Sequence, residues 1–113
     1  RYHEGQSGLV LDSGAFVAAL EHATDKQALV VGKPTKKFFE LASYSFGCKP
    51  KELVMVGDDL FNDIEGAQQI GIHAVMVQTG KYRKAIVDVS NITPDGFISS
   101  IKEFPKYLQN LMT

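Results

Sequence analysis

Two apolar runs with no polar alternation constrain this chain more than any other feature: LVMVG at residues 53–57 and HAVMVQTG at 73–80. Strands covered on both faces read this way, because neither side of the pleat meets water, and such strands belong to parallel sheets flanked by helices. From about Asn62 the residues between them place Ile64, Ala67 and Ile70 on one helical face, and Gly71 stops the pattern. Upstream, GLVLDSG (8–14) reads as a strand, AFVAALEHAT as a short helix and ALVVG (28–32) as a further strand. KPTKKFFELASYSFG predicts a helix with Pro34 near its first turn, Thr35 as N-cap, Gly47 just past its end and an inner stripe of Phe38, Leu41, Ala42 and Phe46. After an irregular basic stretch, GFIS reads as a last short strand, and Ile101, Phe104, Leu108 and Leu111 recur at helical spacing. The alternation of strand and helix predicts an α/β protein built on a parallel sheet.

Composition narrows the function classes. A chain of 113 residues supports one modest core. A net charge of -1 gives no electrostatic reason to expect nucleic acid or an anionic membrane as partner. No apolar run reaches the ~18 residues of a membrane span. The single cysteine, Cys48, precludes an internal disulfide and fits a reducing, cytoplasmic setting. The opening RYHEGQSG has neither an initiator methionine nor the apolar stretch of a signal peptide, so the chain is expected to be a piece of a longer protein.

The chemistry concentrates in VMVGDDLFNDI, where Asp58, Asp59 and Asp63 follow directly on a buried strand. Crowded carboxylates repel one another unless a cation or N–H donors offset them. In open parallel sheets, ligands bind beyond the carboxyl ends of the strands, which is where Asp58 and Asp59 fall. All-oxygen donors favour Mg²⁺, which takes one or two protein carboxylates and completes its shell with water and phosphate. The plainer reading makes Asp58 the cap of a turn and Asp63 the cap of the helix, and it accounts poorly for three aspartates together. Lys33, in VVGKPT, follows an apolar run and precedes a helix start, where a lysine can address a phosphoryl group beside N–H donors that favour anions. Alone it reads rather as a surface lysine at a helix start, and the acidic motif one α/β unit later reverses that balance.

GKPTKKFFELA, VMVGDDLFNDIEGAQQIGIHAVMVQTGKYR and PDGFISSI together resemble the C-terminal part of the haloacid dehalogenase (HAD) superfamily of Mg²⁺-dependent phosphohydrolases. Within it, the chain is similar to the subfamily whose α/β cap lies between the second and third motifs, which includes 4-nitrophenylphosphatase-like enzymes and the phospholysine phosphohistidine inorganic pyrophosphate phosphatase group. The resemblance implies the C-terminal part of a Rossmann-like parallel sheet flanked by helices, with a cap remnant at 1–32 and the second half of the core at 33–113. It implies that Lys33 steadies the phosphoryl group and the nucleophile, that Asp58 binds Mg²⁺, and that Asp63 acts through Lys33 or water on the metal. Asp59 is left either assisting the metal or satisfying the loop backbone. The implied substrate is a small phosphorylated compound or pyrophosphate, attacked through an aspartyl-phosphate intermediate.

One departure is large. The family's nucleophile and general acid lie in an N-terminal DxD strand, and no DxD occurs in this chain. The expectation is therefore a phosphatase parent whose 113-residue piece is inactive alone, against the alternative of a non-catalytic HAD-like binding or regulatory module. A receiver-like phosphoacceptor ranks last, since its acidic pair and lysine would come in the opposite order. Removing the nucleophile strand would also bare a sheet edge next to 53–57, which predicts self-association. GKYRK (80–84) puts Lys81, Arg83 and Lys84 on the same side as Asp58, either as contacts for an anionic substrate or as a solvated loop. Cys48 has no partner placed to make it a nucleophile, and His3, His22 and His73 share no ligand spacing, so all four read as surface or packing residues.

Overall fold

Residues 2–113 are described by a computed structural model, in which the chain divides after Val30 into two units. In the first, β1 (Tyr2–Gly5) and β2 (Gly8–Leu11) pair antiparallel with Gly5 opposite Gly8. β1 has no signature of its own in RYHEG and exists by pairing with the apolar β2. Helix α1 (Ser13–Thr24) follows, its N-terminus capped by Asp12, whose carboxylate accepts the Ser13 N–H at 2.7 Å. Arg1, the first residue of the expected cap segment, and the side chain of His3 lie outside the described residues.

ALVVG does not form the expected strand. Residues 26–31 have no strand partner, and Leu29, Val30 and Val31 are exposed. β propensity alone does not make a strand when no neighbour supplies the ladder.

Helix α2 (Lys36–Phe46) opens the second unit with the predicted punctuation: the Thr35 hydroxyl accepts the Phe38 N–H at 3.4 Å, and Gly47 adopts the left-handed conformation at φ 64°. Its buried face is turned by one residue from the expected stripe. Phe39 and Ser43 are buried, while Phe38, Leu41 and Phe46 are exposed. The cause is the partner: Phe39 lies against Gly66, where a Cβ would come within 2.6 Å of the ring, so α2 seats where the neighbouring helix has no side chain.

β3 (Val54–Gly57), β4 (His73–Val77) and β5 (Gly96–Ile98) make a parallel sheet in the order β3-β4-β5, with Val56 opposite Val75 and Met76 opposite Phe97. This is the expected parallel α/β arrangement. β4 is its centre, and Ala74, Val75 and Met76 are buried. β3 is an edge strand, leaving open the edge expected beside residues 53–57, and residues 54–56 are only half-buried. Alternation along β4 separates two faces. Ala74 and Met76 join Phe39, Leu60, Ile64, Ala67 and Ile72 in one apolar cluster, and Leu53, Met55, Tyr82 and Val87 pack at its margin.

On the other face, His73 shares a 2.8 Å hydrogen bond with the Tyr107 hydroxyl of α5 (Phe104–Met112), making His73 a packing residue. Asp95 ties β5 to β4: its carboxylate accepts the Ala74 N–H at 2.8 Å and the Gln68 amide at 3.1 Å. The stretch expected to be irregular holds α4 (Lys84–Val89). No helix among the described residues is long and apolar enough to cross a membrane.

Candidate active site

The segment after β3 begins earlier than the periodicity suggests. A wide π-type helical turn, Leu60–Glu65, runs into α3 (Gly66–Gln68), and Asp59 is its N-cap. The Asp59 carboxylate accepts the N–H groups of Phe61 at 3.2 Å and Asn62 at 3.0 Å, and the Asn62 side-chain amide at 2.9 Å. Asp63 therefore does not cap the helix. It stands one turn in, buried, and points back toward β3, where its Oδ2 accepts the Asp59 N–H at 3.2 Å.

This return is possible because residue 57 is glycine. A Cβ at Gly57 would lie within 2.6 Å of the Asp63 Cγ, closer than any real contact. Asp63 Oδ1 then meets Lys33 Nζ at 2.5 Å. The pair spans thirty positions of sequence and joins the loop before α2 to the turn after β3. Asp63 is 5% exposed at its side chain and Lys33 40%, so the ammonium reaches the carboxylate from the solvent side.

Asp58 is held differently. Its Oδ2 accepts the Lys81 N–H at 2.8 Å, and Gly80, at φ 54°, lets the loop after β4 press against it, since a Cβ there would overlap the carboxylate. The Lys81 ammonium reaches Asp59 Oδ2 at 3.2 Å. Burial pushes the Asp59 pKa upward as the largest single influence. The hydrogen bonds from Asn62 and Lys81 together outweigh it and hold the carboxyl below its ordinary range. The same bond raises the Lys81 pKa, so both groups stay ionised.

Lys33, Asp58, Asp59, Asn62, Asp63 and Lys81 thus line one polar hollow of about 250 Å³ at the carboxyl end of β3. The structure gathers all four residues singled out in the sequence. Asn62 and Lys81 complete the lining without having been singled out for it; Gly80, a glycine directly after a buried strand, was the available signal for the close approach of that loop.

Among the described residues, no three or more His, Cys, Asp or Glu side chains are arranged to hold a metal ion between them. The acidic donors of the lining are all oxygen, which fits Mg²⁺, and the carboxylates of Asp63 and Asp58 sit in cradles that a Cβ at residue 57 or 80 would fill.

The parallel α/β core thus places carboxylates at a strand's carboxyl end, faced by a lysine from a separate loop. The chain belongs to the HAD-hydrolase-like family, whose model matches residues 30–104. It is 45% identical over 112 residues to haloacid dehalogenase-like hydrolase domain-containing protein 2 of Bos taurus, covering 99% of this chain and 42% of that protein. It is 46% identical over 101 residues to phospholysine phosphohistidine inorganic pyrophosphate phosphatase of Xenopus laevis, covering 89% and 37%. Among solved structures, 4-nitrophenylphosphatase from Thermotoga maritima superposes with a TM-score of 0.74 at 28% identity, over 93% of this chain and 41% of that one. The chain therefore spans about two fifths of the length of the relatives it matches.

Proposed function

We propose that this chain supplies the second half of the core (33–113), preceded by a cap remnant (1–32), of a Mg²⁺-dependent phosphohydrolase acting on a small phosphorylated compound or pyrophosphate. The observation that carries the reading is the Lys33–Asp63 pair at 2.5 Å on the rim of the hollow that Asp58 lines. Kinship with proteins named as phosphatases supports it.

In this reading Asp58 holds the cation, with one carboxylate oxygen fixed by the Lys81 N–H so that the other is presented to the hollow. Mg²⁺, when bound, neutralises charge on the phosphoryl oxygens. Lys33 supplies the opposing positive charge, and Asp63 holds its ammonium in place. Asp59 is engaged by the helix N-terminus and by Lys81, which supports a structural role over metal ligation.

The attacking carboxylate and the general acid are not in this sequence, which has no DxD. The aspartyl-phosphate therefore forms on a residue of the full-length protein outside this chain, and the 113 residues alone are inactive. The full-length protein works in the cytoplasm, and it associates with copies of itself.

The experiment is turnover of a chromogenic phosphate ester by the full-length protein. Asp58→Asn should remove Mg²⁺-dependent activity, and full retention would overturn the assignment. The missing DxD also favours a second reading, a non-catalytic HAD-like module. A full-length protein with no DxD upstream and no turnover of any ester would establish that one instead.

A further inference from the structure

The loop after β4 carries cations whose partners change the meaning of the hollow. Read as sequence, GKYRK could have addressed an anionic substrate. In the structure the Lys81 ammonium, on a side chain that stays 73% exposed, reaches Asp59 at 3.2 Å. Arg83 donates to the carbonyl oxygens of Gly80 at 2.9 Å and Tyr82 at 2.7 Å, bracing the turn that the Tyr82 N–H closes on the Thr79 carbonyl. Lys84 pairs with Asp88 at 2.6 Å, one helical turn along α4. None of the three side chains is engaged as a free anion contact.

The charges of the hollow divide in pairs. Lys33 is matched to Asp63 and Lys81 to Asp59, so of the three carboxylates only Asp58 makes no ion pair, receiving the Lys81 backbone N–H and a longer-range attraction from the Lys81 ammonium. Lys81 reaches both acidic residues from one position, the first through its main chain and the second through its side chain.

We propose that Lys81 is a positioning residue that keeps the cation pocket at a single carboxylate free of an ion pair: its main-chain N–H fixes Asp58 at the hollow, and its ammonium offsets the charge of Asp59, whose carboxylate the helix N-terminus and Asn62 already hold. This deepens the phosphohydrolase reading and rests on Asp58 being the ligand for Mg²⁺. A pocket with two free carboxylates would hold the cation more tightly and leave less positive charge for the phosphoryl group. A pocket with none would hold it weakly.

Charge pairing makes a prediction that a merely structural role does not. Mg²⁺ alone is titrated into the full-length protein by calorimetry at fixed pH and ionic strength. One unit charge added or removed about 4–6 Å from a divalent cation in a water-like surround is worth roughly ten- to thirtyfold in affinity without salt, which screening at about 0.15 M ionic strength reduces to roughly fivefold. Lys81→Met and Lys81→Gln should each bind Mg²⁺ roughly fivefold more tightly, Asp59→Asn more weakly by a similar factor, and Lys81→Met/Asp59→Asn should return to within about twofold of the parent. Lys81→Arg, which keeps the charge, should bind as the parent does, and Lys84→Met, whose partner lies outside the hollow, should change nothing.

Weaker or unchanged binding in both neutral Lys81 variants would overturn the proposal, as would a double variant that does not return toward the parent. Failure of the underlying reading has a separate signature: a parent that binds no Mg²⁺, or Asp58→Asn binding it undiminished, removes the site itself whatever the Lys81 variants do.

Discussion

Gly57→Ala tests how tightly the site is built into the fold. The added methyl has nowhere to go: it would lie within 2.6 Å of the Asp63 Cγ, and both atoms belong to short, stiff segments, the end of β3 and a buried helical turn. Asp63 must swing away, breaking its bonds to Lys33 at 2.5 Å and to the Asp59 N–H at 3.2 Å. A charge-assisted hydrogen bond contributes about 1.5–3 kcal/mol, the backbone bond about 1 kcal/mol, and displacing a buried side chain about 1–3 kcal/mol more. Because Lys33 is 40% exposed, solvent screening places the ion pair at the low end of its range. A loss of about 3.5–5.5 kcal/mol follows, with Mg²⁺-dependent turnover lost as well. Gly71→Ala is the matched control: its φ is +86° and no atom stands within 4 Å of a Cβ, so only the backbone cost of about 1–2 kcal/mol applies. Urea denaturation of the full-length protein measures both. Equal losses at the two positions, or a Gly57→Ala protein with parental stability and turnover, would refute the argument that residue 57 is glycine to make room for Asp63.

Three further outcomes are expected. Lys33→Met should lower turnover of a phosphate ester at least a hundredfold while costing only about 1–2 kcal/mol in urea, since it leaves the buried Asp63 without its cation; parental turnover would exclude Lys33 from the reaction. Burial tends to raise the Asp95 pKa, but the Ala74 N–H, the Gln68 amide and the nearby His73 hold it below the usual value of about 4, so its contribution to stability is present above that pH and lost as pH falls through the folded value. Asp95→Asn should flatten that part of the stability curve, and an unchanged acid slope would show that Asp95 does not contribute to it. The 113-residue chain by itself should self-associate in size-exclusion chromatography through the open edge of β3, whereas a monodisperse monomer would count against that edge as an adhesive surface.

What was legible in the sequence is tied to local patterns. Unbroken apolar runs located β3 and β4, and cap residues located α2, because these signals act within a few positions. Asp58 and Asp59 were legible for a different reason, since strand ends in a parallel sheet concentrate ligands, and Lys33 and Asp63 were legible through the motifs that carry the family resemblance. The errors are all tertiary. Residues 28–32 have strand composition and no strand to pair with. The buried face of α2 was misplaced by one residue because Gly66, far along the chain, decides where Phe39 fits. The pairing of Lys81 with Asp59 could not be read from GKYRK, where a lysine paired with a distant carboxylate and an unpaired one look the same.

The most direct measurement is a crystal structure of the full-length protein with Mg²⁺ and orthovanadate. The account predicts Mg²⁺ at about 2.1 Å from a carboxylate oxygen of Asp58. It also predicts Lys33 within hydrogen-bond reach of a vanadate oxygen, Asp63 on Lys33 rather than on the metal, and Asp59 still paired with Lys81. A cation held by Asp59 with Asp58 turned away, or vanadate bound beyond the reach of Lys33, would contradict it.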